Sequence, residues 1–209
     1  MQMTDEFRTR PVRVFVGLRI SPEIADQLAA LADQLKGTRA RLVATSDIHL
    51  TLVPPWQEAS PERAVGRLCR VASMFKPFLL SLCHIGYGPQ PRRPNLLWVD
   101  CAATDELGAL RNSLVQAFGQ EETRPFRPHV TLARLREGGQ SFARRYPIDK
   151  DLDLAQSVQT IELFQSPPAG ATGYRVLASA ELGKPQADTA ADTASDFDHS
   201  RLISNSSQE

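Results

Sequence analysis

Hydrophobic and polar residues alternate in several short segments of this chain, which is the pattern of half-buried β-strands. The segments that show this pattern, or are rich in β-branched and aromatic residues, are 12–18, 41–44, 48–53, 78–85, 96–101, 158–164 and 174–182. Strands often follow strands directly along the chain. This succession favours antiparallel pairing over the strand–helix alternation of a parallel sheet.

Three segments have the apolar spacing of amphipathic helices instead. Ser21 and Ser60 each precede a Pro-Glu pair, a typical helix start with a capping serine and proline in the first turn. A third helix is predicted over 105–118, where Gly119 ends it. Helices between groups of strands predict an α+β fold with antiparallel sheets.

Composition divides the chain into three parts. A length of 209 residues suffices for one domain or two small lobes. We expect residues 1–11 to be a flexible N-terminus and 12–182 to fold, whereas 183–209 hold little to bury and are expected to be a disordered acidic tail. The tail has two basic and five acidic residues, so the remainder has 22 basic against 19 acidic. This excess is compatible with an anionic substrate without requiring one.

The cysteines and the N-terminus bear on location. Three cysteines, Cys69, Cys83 and Cys101, are odd in number and lack CxxC spacing, which favours reduced thiols. Neither a secretory signal nor an apolar run of about 18 residues is present. We therefore expect a cytoplasmic protein that does not bind a membrane.

One four-residue pattern appears twice and carries the candidate chemistry. It reads His49-Leu50-Thr51-Leu52 and, 80 residues later, His129-Val130-Thr131-Leu132. On a strand, each histidine shares a face with its threonine while the apolar residues point into the core. Two imidazoles and two hydroxyls in one cleft suit acid–base chemistry on a phosphate. This chemistry needs no metal ion, so we expect neither a metal nor a cofactor.

Four further residues are candidates for substrate binding. Arg127 and Arg134 flank the second motif and could fork onto a phosphate. Arg127 would share the face of His129, whereas Arg134, five residues beyond it, would point away unless the strand bends. Trp56 and Phe126 lie near the motifs and could stack on a base of single-stranded nucleic acid.

These segments resemble the RNA 2′,3′-cyclic phosphodiesterases, also called 2′-5′ RNA ligases, of the 2H phosphoesterase superfamily. The resemblance covers roughly residues 12 to 182. It is carried by Val14-Phe15-Val16-Gly17-Leu18, by Ile48 to Leu52, by Pro94-Asn95-Leu96-Leu97-Trp98 and by Arg124 to Arg134. The last segment is the most specific, because it resembles the family's second motif together with its usual flanks.

The resemblance implies two pseudo-symmetric lobes, each with an antiparallel sheet, around a central cleft. It also implies hydrolysis of a 2′,3′-cyclic phosphate at an RNA 3′ end to a 2′-phosphate. In that reaction His49 would give a proton to the 3′ oxygen and His129 would activate water. Run backwards, the same steps would join a 2′-5′ bond with the two roles exchanged. The expected partner is RNA with a 3′-terminal cyclic phosphate, or a small nucleotide, and we expect a monomer.

One segment departs from the family pattern. Val53-Pro54-Pro55-Trp56 stands where the family has an aromatic-Leu-Gly sequence, and Asn95 stands where a basic residue is common. Because proline cannot donate to a sheet ladder, we expect the first motif strand to end early at Pro54.

Three alternatives stay open at this stage. The substrate could be a 2′-5′ oligonucleotide or a small cyclic-phosphate metabolite. The chain could be an RNA-binding module without turnover, although the presence of both histidines and both threonines argues against this. Lastly, the histidines could be ligands of a metallohydrolase, although the carboxylates that such a site needs have no signature here.

Overall fold

The protein is described by a computed structural model that covers residues 10–90, 92–121, 125–135, 139–168 and 171–184. In these ranges the chain forms nine strands and four α-helices. In chain order they are β1 (Val12–Arg19), α1 (Pro22–Ala32), β2 (Arg41–Leu42), β3 (His49–Glu58), α2 (Pro61–Ser73), β4 (Phe78–Gly88), β5 (Leu96–Cys101), α3 (Asp105–Ala117), β6 (His129–Arg134), α4 (Gly139–Arg145), β7 (Lys150–Val158), β8 (Thr160–Gln165) and β9 (Arg175–Glu181).

The strands form two four-stranded halves that meet at the motif strands. The order across the sheet is β7-β4-β5-β6-β3-β1-β8-β9, and the short β2 pairs with β6 outside this path. Every pair is antiparallel. The halves are joined where Leu50 of β3 pairs with Val130 of β6. The predicted α+β class and its two-lobed arrangement are therefore confirmed.

Alternation along the motif strands separates a core face from an open face. Leu50, Leu52, Val130 and Leu132 are at most 2% exposed, whereas the histidines and threonines between them are half-buried. Helices cover the core face in a crossed arrangement. Helix α1, which follows β1, contacts β6 in the other half of the sheet. Helix α3, which follows β5, contacts β3 in the other half. The helices therefore hold the two halves together from behind and leave the histidine face open.

The helix starts are only partly as predicted. The Ser21 hydroxyl accepts the backbone N–H of Ile24 at 3.4 Å, as a capping serine does. Ser60 has the same Pro-Glu sequence after it, yet its hydroxyl makes no capping bond. Its own N–H donates instead to the Glu58 carboxylate at 3.0 Å. A preceding acidic residue therefore changes the role of the second serine.

The expectation that β3 ends early at Pro54 is wrong. The strand runs on to Glu58, and the β1–β3 register shifts between Val14 and Val16, where Val14 pairs with Trp56 and Val16 with Val53. Strand β1 therefore advances by two residues over a stretch in which β3 advances by three. Such a bulge takes residues out of the ladder, so prolines there forfeit no regular hydrogen bond.

Two elements of the structure, β7 and α4, are not predicted from the sequence. Strand β7 carries the sequence Asp-Leu-Asp-Leu, which has period two, but it lies at the sheet edge and is mostly exposed. Helix α4 has only 7 residues and buries none of them. Both lack the run of large apolar residues on which the sequence interpretation relied.

Most of the two terminal segments lies outside the described residues, so their predicted flexibility stays a prediction. The expectations of a monomer and of a cytoplasmic location likewise stay predictions. Within the described ranges, no helix combines the length and the apolar character that crossing a membrane would require. Cys69, Cys83 and Cys101 all lie in these ranges as free thiols.

Candidate active site

The register of the two central strands brings the motifs together. Because Leu50 pairs with Val130, the antiparallel geometry sets His49 opposite Thr131 and Thr51 opposite His129. All four side chains share the open face. The histidines are diagonal neighbours, a relation that separates residues by roughly 7 to 8 Å. Both imidazoles are thus close enough to act on one phosphoryl group.

The same backbone contact orients both imidazoles. Nδ1 of His49 lies 2.6 Å from the Asp47 carbonyl, and Nδ1 of His129 lies 2.8 Å from the Arg127 carbonyl. A carbonyl oxygen can only accept, so each Nδ1 must carry a hydrogen and donate it. In each ring Nε2 is therefore the nitrogen that can take part in acid–base chemistry. The sequence did not predict that both imidazoles would be oriented in the same way.

His49 lies among aromatic rings from distant parts of the chain. Its ring centroid is 4.8 Å from Phe15, 5.7 Å from Phe164 and 5.0 Å from Tyr174. Burial is the largest influence on this group and lowers the pKa of His49 below 6.5, because it disfavours the charged imidazolium. The positive charge of Arg134 and the proximity of His129 also lower this pKa, whereas the carbonyl and carboxylate of Asp47 oppose the shift.

His129 rests on a different support. Its ring lies 4.5 Å from Trp98, and the Arg127 guanidinium covers Trp98 at 4.6 Å. The same guanidinium donates twice to the Asp100 carboxylate, with both bonds at 3.0 Å. Arg127, predicted as a phosphate contact, is thus engaged with Asp100 and positions His129 through its carbonyl.

Arg134 reaches the open face although a regular strand would turn it away. The β5–β6 register shifts between Leu97 and Trp98, which pair with Ala133 and Thr131. This bulge inserts one extra residue in β6 and so reverses the alternation beyond it. Arg134 then shares the face of His129, and its positive charge lowers the pKa of His49. The bend on which the sequence prediction depended is this bulge.

Trp56 and Phe126 lie outside the cleft, so their predicted stacking on a base does not fit their positions. Trp56 contacts Phe118, the residue after α3, at 4.8 Å, and its indole N–H donates to Glu58 at 3.1 Å. Phe126 lies under the guanidinium of Arg111 on α3, at 4.7 Å. Both rings support the helical layer behind the sheet.

Gly17 is a site residue that the motif analysis did not single out. It pairs with Thr51, and a Cβ there would lie 2.7 Å from the Leu50 carbonyl oxygen and 3.6 Å from Cδ2 of His49. Only glycine lets β1 lie this close to the first motif. Tyr174 was also missed. Its backbone N–H donates to Asp47 at 3.1 Å, a contact across 127 residues that no local pattern signals.

Comparison with known proteins gives the class. The model of the 2′-5′ RNA ligase superfamily matches residues 21–148. This chain belongs to that superfamily, which confirms the resemblance drawn from the two motifs.

Individual relatives agree with this assignment. The chain is 28% identical over 158 residues to a Bacillus subtilis protein named RNA 2′,3′-cyclic phosphodiesterase, covering 72% of this chain and 86% of the relative. An Archaeoglobus fulgidus protein of the same name is 26% identical over 165 residues, covering 71% and 93%. The crystal structure of Escherichia coli LigT complexed with NADP+ superposes with a TM-score of 0.66 at 26% identity, covering 83% and 99%. A Thermus thermophilus structure, with a TM-score of 0.68 at 21% identity and 83% and 100% coverage, supports the fold alone.

Proposed function

We propose that this protein hydrolyses the 2′,3′-cyclic phosphate at an RNA 3′ end to a 2′-phosphate, with two histidines and no metal ion. The observation that carries the proposal is the register that sets both His–Thr pairs on one open face. Two imidazoles with their Nδ1 atoms occupied present two Nε2 atoms to one substrate. The relatives named as RNA 2′,3′-cyclic phosphodiesterases support the choice of substrate.

The reaction needs one proton accepted and one delivered. In the assignment that the family resemblance implies, neutral His129 takes a proton from water through Nε2 as the water oxygen attacks phosphorus. The bond from phosphorus to the 3′ oxygen then breaks, and protonated His49 gives its Nε2 proton to that oxygen. Each transfer of this kind is worth about 10² to 10⁴ in rate. The lowered pKa of His49 makes its imidazolium a stronger acid, although less of it is present at neutral pH.

Thr51 and Thr131 have a separate role. Each lies on the open face opposite the histidine of the other motif, next to the place that the phosphate would occupy. A hydroxyl there can donate to a non-bridging oxygen, whose negative charge grows in the transition state. The reverse reaction, joining a 2′-5′ bond, would use the same four side chains.

The direct test compares three substrates under one set of conditions. We expect turnover of an oligonucleotide ending in a 2′,3′-cyclic phosphate, with 2′-phosphate as the only new end group, measured by chromatography and phosphorus NMR. A 2′-5′ dinucleotide or a small cyclic phosphate turned over in preference to this RNA would replace the proposed substrate. RNA binding without any hydrolysis would identify a binding module. Loss of activity in EDTA, restored by a divalent ion, would identify a metalloenzyme.

The pH dependence of kcat/KM should change when Arg134 is replaced. One histidine must be neutral and the other protonated, so kcat/KM should be bell-shaped. The Arg134 charge lowers the pKa of His49, so Arg134→Gln should raise this pKa and move the limb set by His49 toward higher pH. Proton NMR of the His49 ring measures the same shift directly.

The matched control for this experiment is Arg70→Gln. Arg70 is an exposed arginine on α2, behind the sheet, and its replacement should leave both limbs in place. A downward shift of the His49 pKa in Arg134→Gln, or none, would contradict the placement of Arg134 beside His49.

A further inference from the structure

A cavity of about 440 Å³ lies next to the residues that surround His49. Phe15, Asp47 and Tyr174 line this cavity, and all three also contact or orient His49. A substrate held between the two histidines can therefore extend into this cavity.

Three arginines line the cavity, from three different strands or their ends. They are Arg13 of β1, Arg41 of β2 and Arg134 of β6, and all three are exposed. Asp47 is the acidic residue in the described lining, and one of its carboxylate oxygens accepts the Tyr174 N–H. The lining thus carries an excess of two positive charges.

The arrangement of two of these arginines is unfavourable without an anion. Arg41 and Arg134 are direct cross-strand partners in the β2–β6 pair. Like charges directly opposite each other destabilise a sheet. Within the described ranges, no acidic side chain forms an ion pair with Arg13, Arg41 or Arg134. A bound anion between them would remove this repulsion.

We propose that the Arg13–Arg41–Arg134 cavity binds the phosphodiester that precedes the terminal nucleotide of the RNA strand. This inference rests on the proposed function, because that function places the cyclic phosphate at the histidines. Guanidinium groups bind phosphate oxygens through paired N–H donors, and three of them around one cavity match a group with a full negative charge. The protein then acts on strands in preference to mononucleotides.

Pro55 lines the same cavity, which gives the departure from the family pattern a place in this site. The bulge that admits Pro54 and Pro55 lies between the pairs Val14–Trp56 and Val16–Val53, directly beside Phe15. The cavity wall next to Arg13 is therefore built from the segment in which this chain differs from the family's usual sequence.

The test compares a nucleoside 2′,3′-cyclic phosphate with a dinucleotide that ends in the same group. Wild-type protein should have the higher kcat/KM for the dinucleotide. Arg13→Ala and Arg41→Ala should each lower kcat/KM for the dinucleotide by about tenfold, the effect of losing a hydrogen bond to a charged group. Both should leave the mononucleotide value unchanged. Arg70→Ala on α2 is the matched control and should change neither.

Two modified substrates identify the group that is bound. A dinucleotide with a neutral methylphosphonate linkage should behave like the mononucleotide and be insensitive to both substitutions. A mononucleotide with a 5′-phosphate carries a phosphate at the same position, so it should also gain over the unphosphorylated mononucleotide and lose this gain in Arg13→Ala and Arg41→Ala. No gain from the 5′-phosphate, or a gain that survives both substitutions, would overturn the proposal. Equal losses for the mononucleotide and the dinucleotide in the arginine variants would overturn it as well.

A binding measurement separates this inference from the proposed function. We would titrate the protein with a single-stranded oligonucleotide that ends in a 2′-phosphate and measure Kd at several salt concentrations. Losing one phosphate contact should reduce the slope of log K against log salt by about 0.7 in Arg41→Ala. Arginine-dependent binding without hydrolysis of any substrate would refute the proposed function alone, whereas hydrolysis with an unchanged slope would refute the cavity proposal alone.

Discussion

Replacing His129 with alanine is expected to lower kcat for cyclic-phosphate hydrolysis by about 10² to 10⁴, and replacing His49 with asparagine by a similar factor. Asparagine is chosen because its amide can still donate to the Asp47 carbonyl while lacking Nε2 chemistry. The double variant should have a kcat only slightly below that of the less active single variant, because the effects of residues that act as a unit are not additive. Steady-state kinetics on a cyclic-phosphate oligonucleotide measures all three.

His84→Ala is the matched control for these variants. His84 is held by Asp149 at 2.6 Å, and β5 lies between its strand and the second motif strand. Its replacement should leave kcat unchanged. A large loss in His84→Ala, or full activity in either motif variant with unfolding curves like the wild type, would contradict the two-histidine site.

A substrate with sulfur in place of the 3′ oxygen separates the two histidine roles within the same experiment. Sulfur leaves without needing a proton, so the variant that lacks the general acid should recover most of its rate. We expect this recovery for His49→Asn and none for His129→Ala. Recovery in His129→Ala alone would exchange the roles of acid and base.

Gly17→Ala is expected to have the second largest effect, about a 10²-fold loss of kcat/KM. The new Cβ would meet the Leu50 carbonyl oxygen at 2.7 Å, between His49 and Thr51. Backbone atoms cannot swing aside as a flexible side chain does, so the first motif strand must move. A displacement of about 1 Å at reacting groups is sufficient for a loss of this size.

Gly66→Ala provides the matched control. Gly66 lies in α2, and a Cβ there has no neighbour within 4 Å. This substitution should keep full activity and raise the free energy of unfolding by about 0.4 to 1 kcal/mol, because alanine restricts the unfolded chain. Wild-type kinetics in Gly17→Ala would show that the close approach of β1 does not position His49.

Part of this site was readable from local sequence. Period-two alternation set His49 with Thr51 and His129 with Thr131, because successive side chains on any strand point to opposite faces. The same reasoning separated the buried residues Leu50 and Val130 from the chemistry. The α+β class also followed from the order of strands and helices along the chain.

Local alternation was insufficient where the result depends on a partner strand. Counting along β6 turned Arg134 away from His129, yet a bulge against β5 turns it back. Counting along β3 ended the strand at Pro54, yet a bulge against β1 carries it on to Glu58. A bulge is a mismatch between two strands, so neither strand alone indicates it.

The surroundings of the two imidazoles were likewise beyond local pattern. Tyr174 reaches Asp47 and His49 from 127 and 125 positions along the chain, and the Asp100 carboxylate holds Arg127, whose carbonyl orients His129. Backbone alternation is a property of each strand and is written in its own residues. Pairing register, bulges and ring contacts arise only when distant segments pack, and they decided which side chains of this protein share the cleft.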